Sequence, residues 1–486
     1  YSLDGAAHIN PFDGSGMPLP FPDALQEFRL STSSQDASNG MHSGASVSAV
    51  TKSGTNEFHG DLFEFVRNNK FNARDPFATK NDGLKRHQFG GVVGGPIKKD
   101  KVFFFTGYQG TTVRQIPINN TVFVPTPQML AGDFTTFASP ACQNGRQIML
   151  RAPFVNNQVS PALFSPAALK IAAKLPKALD ACGRYLTGNI LHENNHQVPA
   201  RIDYQLSSKQ TLFARYMLTK IQVAVPYELN PSDVLTSSGF GSDDQSHSLT
   251  IGSTYLVNAN VVNAFRLSGN RVRALKPGAS IFGPVDVGIN AFSYTPKYFS
   301  LPVSGAFSLT GNGSFSANSF AYTTTFGAND DLNIVKGSHQ FAFGAHYLRS
   351  IEWSVAQAWS GGSYTITGAV TGLGMSDFFL GNVSQLRQAN PNPLNLNQNF
   401  FGVYGQDTWK ISPKLTLTYG VRWEPFLPMS FPQGDLYNFS LTRFYANQRS
   451  TVIPNAPPGF TYPGDPGFNG KSGIQSNYRN IDPRLA

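Results

Sequence analysis

Polar and apolar residues alternate one for one along several stretches of this 486-residue chain. Leu415, Leu417, Tyr419, Val421 and Trp423 share one side of a run whose other side holds Thr416, Thr418, Gly420, Arg422 and Glu424. Arg201, Asp203 and Gln205 alternate with Ile202, Tyr204 and Leu206, and Arg266, Ser268 and Asn270 with Phe265, Leu267 and Gly269. Ser248, Thr250, Gly252 and Thr254 oppose Leu249, Ile251, Ser253 and Tyr255, with one small break. Successive side chains of an extended strand point to opposite faces, so each run predicts a strand with one apolar and one polar face. The run Phe58–Arg67 alternates poorly, which leaves its facing open.

The spacing between runs adds a second signal. Tight polar turns at 97–100, 207–209, 258–260, 336–338 and 412–414 join strands pairwise, while long segments near 114–196, 220–245, 274–322, 353–399 and 425–486 separate the pairs. Short turns on one side and long loops on the other mark strands that cross a membrane as a barrel, and lipid favours closed sheets because an unpaired backbone group there is costly. About 11 convincing strands are expected, with one or two weaker ones around 361–382. Ser165–Lys174 opens with Ser-Pro and has helical spacing, so one long segment is expected to carry a short helix.

Composition agrees. Charged residues make up 14% and aromatics 13%, with 39 Phe, which suits a surface that partly faces something other than water. The net charge of +9 is spread along the chain, so no nucleic-acid surface is expected. No run approaches the ~18 apolar residues of a spanning helix. Cys142 and Cys182 fall in one long segment; paired, they close a loop of about 40 residues, worth ~4 kcal/mol in the chain-entropy model. Two unrelated thiols are the alternative. No catalytic residue, metal ligand or cofactor is expected. Pro466–Ser472 has Asp465 where a phosphate loop has its first glycine and lacks the preceding strand and following helix, and no zinc spacing occurs.

Pro22–Arg29, followed by Val50-Thr-Lys-Ser-Gly-Thr-Asn-Glu-Phe-His-Gly60, resembles the end of the plug and the barrel start of TonB-dependent outer-membrane receptors, in particular their Oar-like branch. Phe89–Ile97 with Lys101–Phe105, and Tyr404–Trp409 with Leu415–Glu424, resemble further hairpins of that branch. The resemblance implies an all-β fold: an antiparallel transmembrane β-barrel of about 22 strands around a plug, of which about 11 to 13 fall in this stretch. Residues 1–56 are then the C-terminal part of the plug and 57–486 the N-terminal half of the barrel, within a longer protein. Lys52, Ser53, Gly54, Thr55 and Asn56 form the hinge between them.

The function so implied is active uptake of a scarce carbohydrate, siderophore or peptide across the bacterial outer membrane by plug rearrangement. Its partners are the TonB-ExbB-ExbD energy-coupling complex, outer-membrane lipid with lipopolysaccharide, and an extracellular ligand; no enzymatic activity is implied. Inward residues far from the short turns face outside, which makes Arg67, Arg349, Arg422 and Glu424 ligand candidates over Asp203. Aromatics assigned to the outer loops, Trp353, Trp359 and Tyr364, are candidates for stacking on a ligand. The alternatives are a barrel used for adhesion or protein export and, more distantly, a soluble sugar-binding protein of many hairpins.

Overall fold

A computed structural model describes residues 1–486 except 11–13, 33–35, 39, 41–44, 75, 77–80, 117–119, 311–316 and 486. The alternating runs become one antiparallel sheet of twelve strands in chain order. They are β5 (His59–Asn68), β6 (Lys85–Lys98), β7 (Val102–Gln115), β8 (Leu191–Ser207), β9 (Gln210–Val223) and β10 (Ser242–Asn258). There follow β11 (Val261–Lys276), β12 (Ser319–Lys336), β13 (His339–Ala356), β14 (Asn392–Ser412), β15 (Leu415–Trp423) and β16 (Ile481–Leu485). The five tight turns stand where the sequence puts them, and the long connections all emerge at the opposite end of the sheet. Several strands run further into the long segments than their alternation shows; β13 extends to Ala356 and β14 starts at Asn392. No wall strand lies at 361–382, contrary to expectation: the region holds the short helix α2 (Gly374–Leu380), whose buried Met375, Phe378 and Phe379 have helical rather than alternating spacing. The one expected helix is present as α1 (Pro166–Ala172).

The two faces of the wall follow the alternation. Leu249, Ile251, Phe265, Leu267, Tyr419 and Val421 are exposed on one face, while Ser248, Thr250, Asn270 and Arg422 are buried on the other. The exposed face carries two aromatic clusters. His339, Phe341 and Trp409 stack beside the tight turns; near the far ends Tyr322 stacks on Trp353 at 5.5 Å and Phe320 meets Trp353 edge-on. Phe58–Arg67 alternates poorly because of a contact from outside the wall. Its Phe63 faces Phe21, and Phe21 packs with Ala24, Val92 and Phe105, so the inner face is itself apolar there.

Four short strands within the first 51 residues form a small separate sheet, ordered β2 (Ala6–Ala7), β1 (Ser2–Leu3), β4 (Ser46–Thr51) and β3 (Leu25–Ser31), with β1 and β4 parallel. This N-terminal segment touches Phe63 on β5 through Phe21 and Arg422 on β15 through Ala37. Eleven flat strands would place those two strands about 48 Å apart at ~4.8 Å per step. The wall therefore curves around the N-terminal sheet, and the buried polar face is the concave one.

The long connections are folded as well. Phe134, Phe154 and Phe164 come from 116–190, Val234 and Leu235 from 224–241, Phe299 and Leu309 from 277–318, and Phe378 and Phe379 from 357–391. Together they make one buried apolar cluster beyond the far ends of the strands. The Cys142 and Cys182 sulfurs are bonded within this cap.

Candidate functional site

The residues that hold the N-terminal sheet in the wall converge on one aspartate. Asp4 and Gly5 form the two-residue turn between β1 and β2, with φ of 53° and 77°. Asp-Gly with both φ positive is the pairing a tight hairpin favours. The turn aims the Asp4 carboxylate at the wall. Its Oδ1 accepts from the Thr51 amide (2.8 Å), the Thr51 hydroxyl (3.0 Å) and Arg201 Nη1 (2.9 Å), and its Oδ2 accepts from Arg215 Nε (3.2 Å). Arg201 is also paired to Asp203 (2.8 Å). Arg215 is 1% exposed; its other nitrogens donate to the Ser248 carbonyl and hydroxyl and to the Thr250 hydroxyl. One carboxylate thus joins the β1–β2 turn to the end of β4 and to wall strands β8 and β9. A buried charge needs such partners, because an unpaired one is strongly destabilising.

Other wall side chains reach N-terminal backbone groups. Asn270 donates to the Ala7 carbonyl (3.0 Å), Asn329 to Gly5 (2.9 Å), Gln197 to Leu19 (3.1 Å) and Arg422 to Ala37 (3.2 Å). Gln406 accepts from the Ala37 amide (2.8 Å). His8 continues the Asp4 network. Arg215 donates to the Ser248 hydroxyl, that hydroxyl lies 3.3 Å from His8 Nδ1, and His8 Nε2 lies 3.0 Å from the Pro18 carbonyl. A neutral ring with its proton on Nε2 satisfies both contacts. Burial lowers the His8 pKa to about 4, against a smaller raising effect of the Pro18 carbonyl. Among the described residues, the buried apolar clusters between this segment and the wall are two small groups, one around Phe21 and Ala24 and one of Leu3, Ala49 and Met217.

The stretch Lys52–Asn56 links the two sheets. Gly54 is buried so close to the wall that an added Cβ would stand 2.2 Å from the Phe104 carbonyl oxygen and 2.7 Å from that of Gly95. Asn56 exchanges hydrogen bonds with Asp100 in the first tight turn (2.6 and 2.8 Å). Lys52 donates its amide to the Ala24 carbonyl (3.0 Å), while Ser53 and Thr55 are exposed.

The structure does not gather the seven candidate ligand residues into one place. Arg422 and Glu424 are bonded to each other, and Arg422 grips Ala37 and Ser38; an added Cβ at Gly40 would overlap both side chains. They hold the N-terminal segment instead of facing open lumen. Arg67 is exposed on the edge strand β5. Arg349 corrects the inward assignment: it shares its face with exposed Phe343, Tyr347 and Trp353 and so points away from the lumen. Trp353 is not in a loop. β13 carries it into the outer aromatic cluster, because hydrogen bonding to β14 continues past the alternating stretch. Tyr364 is 5% exposed in the cap core, edge-on to Phe299, and its burial raises the phenol pKa. Trp359 lies in the cap with Arg387 over its ring (5.2 Å). Sequence reasoning does not single out Asp4, Arg215 or His8, and it ranks Asp203 low. The readable signal was the Asp4-Gly5 turn dipeptide directly after Leu3. Among the described residues, no group of three or more His, Cys, Asp or Glu is placed to hold a metal ion.

Residues 50–486 match the family model described as outer membrane beta barrel domain. A stretch of 123 residues, 24% of this chain and 12% of the relative, is 31% identical to the TonB-dependent transporter Oar of Myxococcus xanthus. Among solved structures, the outer membrane transporter YddB from Escherichia coli aligns with a TM-score of 0.50 at 12% identity, over 89% of this chain and 50% of that one. The ferric enterobactin receptor PfeA from Pseudomonas aeruginosa aligns at 0.45 and 9% identity, over 85% and 47%. The chain spans about half the length of these solved structures and a smaller share of the Myxococcus transporter. The names are those of transporters and receptors, not of enzymes.

Proposed function

The chain belongs to the outer membrane beta barrel domain family and lies in the bacterial outer membrane, and on that footing we propose that it acts as a TonB-dependent receptor. In this reading residues 1–56 serve as part of a movable plug, residues 57–486 as the wall that receives it, and Lys52–Asn56 as the hinge. A scarce ligand binds from the side of the long loops. The energy-coupling complex of TonB, ExbB and ExbD then draws on the plug from the periplasmic side, where the tight turns lie. Lipid and lipopolysaccharide surround the exposed face. The two aromatic clusters suit that placement: Phe341 and Trp353 are twelve residues apart on β13, which is about 40 Å of strand and ~30 Å of height at a barrel strand's tilt.

One observation carries the reading: among the described residues, the N-terminal sheet is held mainly by ion pairs and hydrogen bonds around Asp4 and Arg422, not by an extended apolar core. Water replaces polar partners when such groups separate, whereas exposing apolar surface costs about 25 cal/mol per Å². A sheet seated this way is retained at rest and releasable under load. The rival reading, a barrel for adhesion or export, draws on the folded cap, which presents a stable outer surface.

A tether separates the two. Cysteines replace Ala7 and Asn270, which already meet through the Asn270 amide. Oxidation is expected to abolish growth on the nutrient that a deletion strain fails to use, and reduction to restore it. Undiminished uptake with the tether closed would overturn the transport reading and favour the rival.

A further inference from the structure

The inner face of the wall holds a cavity of about 330 Å³ on the loop side of the N-terminal segment, with Pro18 among its lining residues. It is built from consecutive inward rungs of three paired strands. Gln109, Gln197 and Thr219 form one rung and Thr111, Asn195 and Ile221 the next, with Val113 and Glu193 beyond. Three oxygens here have no hydrogen-bond partner among the described residues: Asn195 Oδ1, Gln197 Oε1 and the Thr219 hydroxyl. Thr219 is 3% exposed. The amide orientations are set by their own donors. Asn195 Nδ2 donates to Glu193 Oε1 (2.6 Å), and Gln197 Nε2 donates to the Leu19 carbonyl (3.1 Å). Both free oxygens are thereby left as acceptors, and buried polar atoms rarely stay unpaired.

We infer that this cavity is a binding site for a neutral, hydroxyl-rich ligand, a sugar ring of an oligosaccharide. The inference deepens the receptor reading above and rests on it for the use made of the bound sugar. A hydroxyl group donates to Asn195 and Gln197 and accepts from Thr219 or Arg86 with the same atom type. The lining carries one cation, Arg86, and one anion, Glu193, so it offers no excess charge to a ferric chelate or a basic peptide. Val113, Ile221 and Pro18 supply apolar surface for the C–H face of a ring. Gln197 has one end in the cavity and the other on Leu19, so an occupant of the cavity lies one side chain from the N-terminal segment.

The test uses the detergent-solubilised protein and titration calorimetry with malto-, cello- and xylo-oligosaccharides, a ferric catecholate and an oligolysine peptide. At least one oligosaccharide series is expected to bind. Thr219→Val, which keeps the shape and removes the hydroxyl, is expected to weaken it about tenfold, as does loss of one buried hydrogen bond to a ligand. Thr219→Ser is expected to retain binding. Ser350→Ala, which removes an unpartnered hydroxyl outside the cavity, is expected to change nothing. Binding of the catecholate or peptide in place of sugar, no sugar binding at all, or sugar binding indifferent to Thr219→Val would each overturn the assignment. Sugar binding together with tether-insensitive uptake would leave this inference standing and sink the transport reading. Tether-sensitive uptake of a ligand that is not a sugar would do the reverse.

Discussion

The N-terminal sheet and the outer cap both fill space that the wall leaves open, yet they are held by opposite means. The cap buries Phe134, Phe164, Phe299, Phe378 and Phe379 against one another and carries the Cys142–Cys182 bond. The N-terminal sheet offers the wall Asp4, His8 and a row of backbone carbonyls, met by Arg201, Arg215, Asn270 and Arg422. Apolar packing has no substitute partner in water, so the cap keeps its shape unless it unfolds. Polar contacts do have one, so in the receptor reading proposed above the N-terminal sheet leaves its seat without unfolding. Within one chain, the chemistry of the interface separates an apolar-packed cap from a polar-held N-terminal sheet.

The largest effect is expected in the cap. Phe379→Ala removes a fully buried ring that meets Phe134 edge-on at 5.5 Å and Phe164 at 4.8 Å, and such truncations cost about 3–5 kcal/mol. Amide hydrogen exchange across α1 should accelerate while the Ser46–Thr51 amides keep their protection. Loss of protection in both regions would show that cap and N-terminal sheet are one cooperative unit, and the comparison would fail.

Asp4→Asn should act the other way. It preserves shape and one acceptor but leaves Arg215 buried without its counter-charge, at a cost on the order of 2–3 kcal/mol. Exchange at Ser46–Thr51 should speed up and α1 should be unaffected. An unchanged Ser46–Thr51 would remove the Asp4 network from its assigned role.

The smallest effect is a pH dependence confined to the N-terminal sheet. His8 has a folded-state pKa of about 4, below its ordinary value of 6.5, so the released state binds the proton first. The seated state is therefore fully favoured above about pH 6.5 and loses ground as pH falls toward 4, by ~1–1.5 kcal/mol at about pH 5.5. The charged groups facing the ring are Asp4 and Arg215. Exchange at Ser46–Thr51, corrected for the intrinsic pH dependence, should rise over that window in the native protein and stay flat in His8→Gln. A rise of equal size in both would assign the effect to another group.

The wall was legible because a strand's facing depends on immediate neighbours. Arg201, Ser248, Asn270 and Arg422 read as inward from alternation alone, and the five tight turns gave the register and the direction of each strand. Where alternation failed, at Phe58–Arg67, the cause was Phe21 in the N-terminal segment, just before the strand Leu25–Ser31, which no local pattern reports. Trp353 read as loop because the wall continues by hydrogen bonding after the alternation becomes irregular.

From the order of its residues alone, the chain determined a membrane wall with a polar inner face, an apolar outer face and long connections at one end. Those properties follow from a two-residue period and from turn chemistry, both local. The tertiary structure decided which inward residues meet the N-terminal sheet and how the long connections share a core. Asp4 lies 197 residues from Arg201 and 211 from Arg215, and the cap phenylalanines come from separate connections with no common period. Contacts made at such separations depend on how the sheet curves, a property of the whole wall that no stretch of sequence carries by itself.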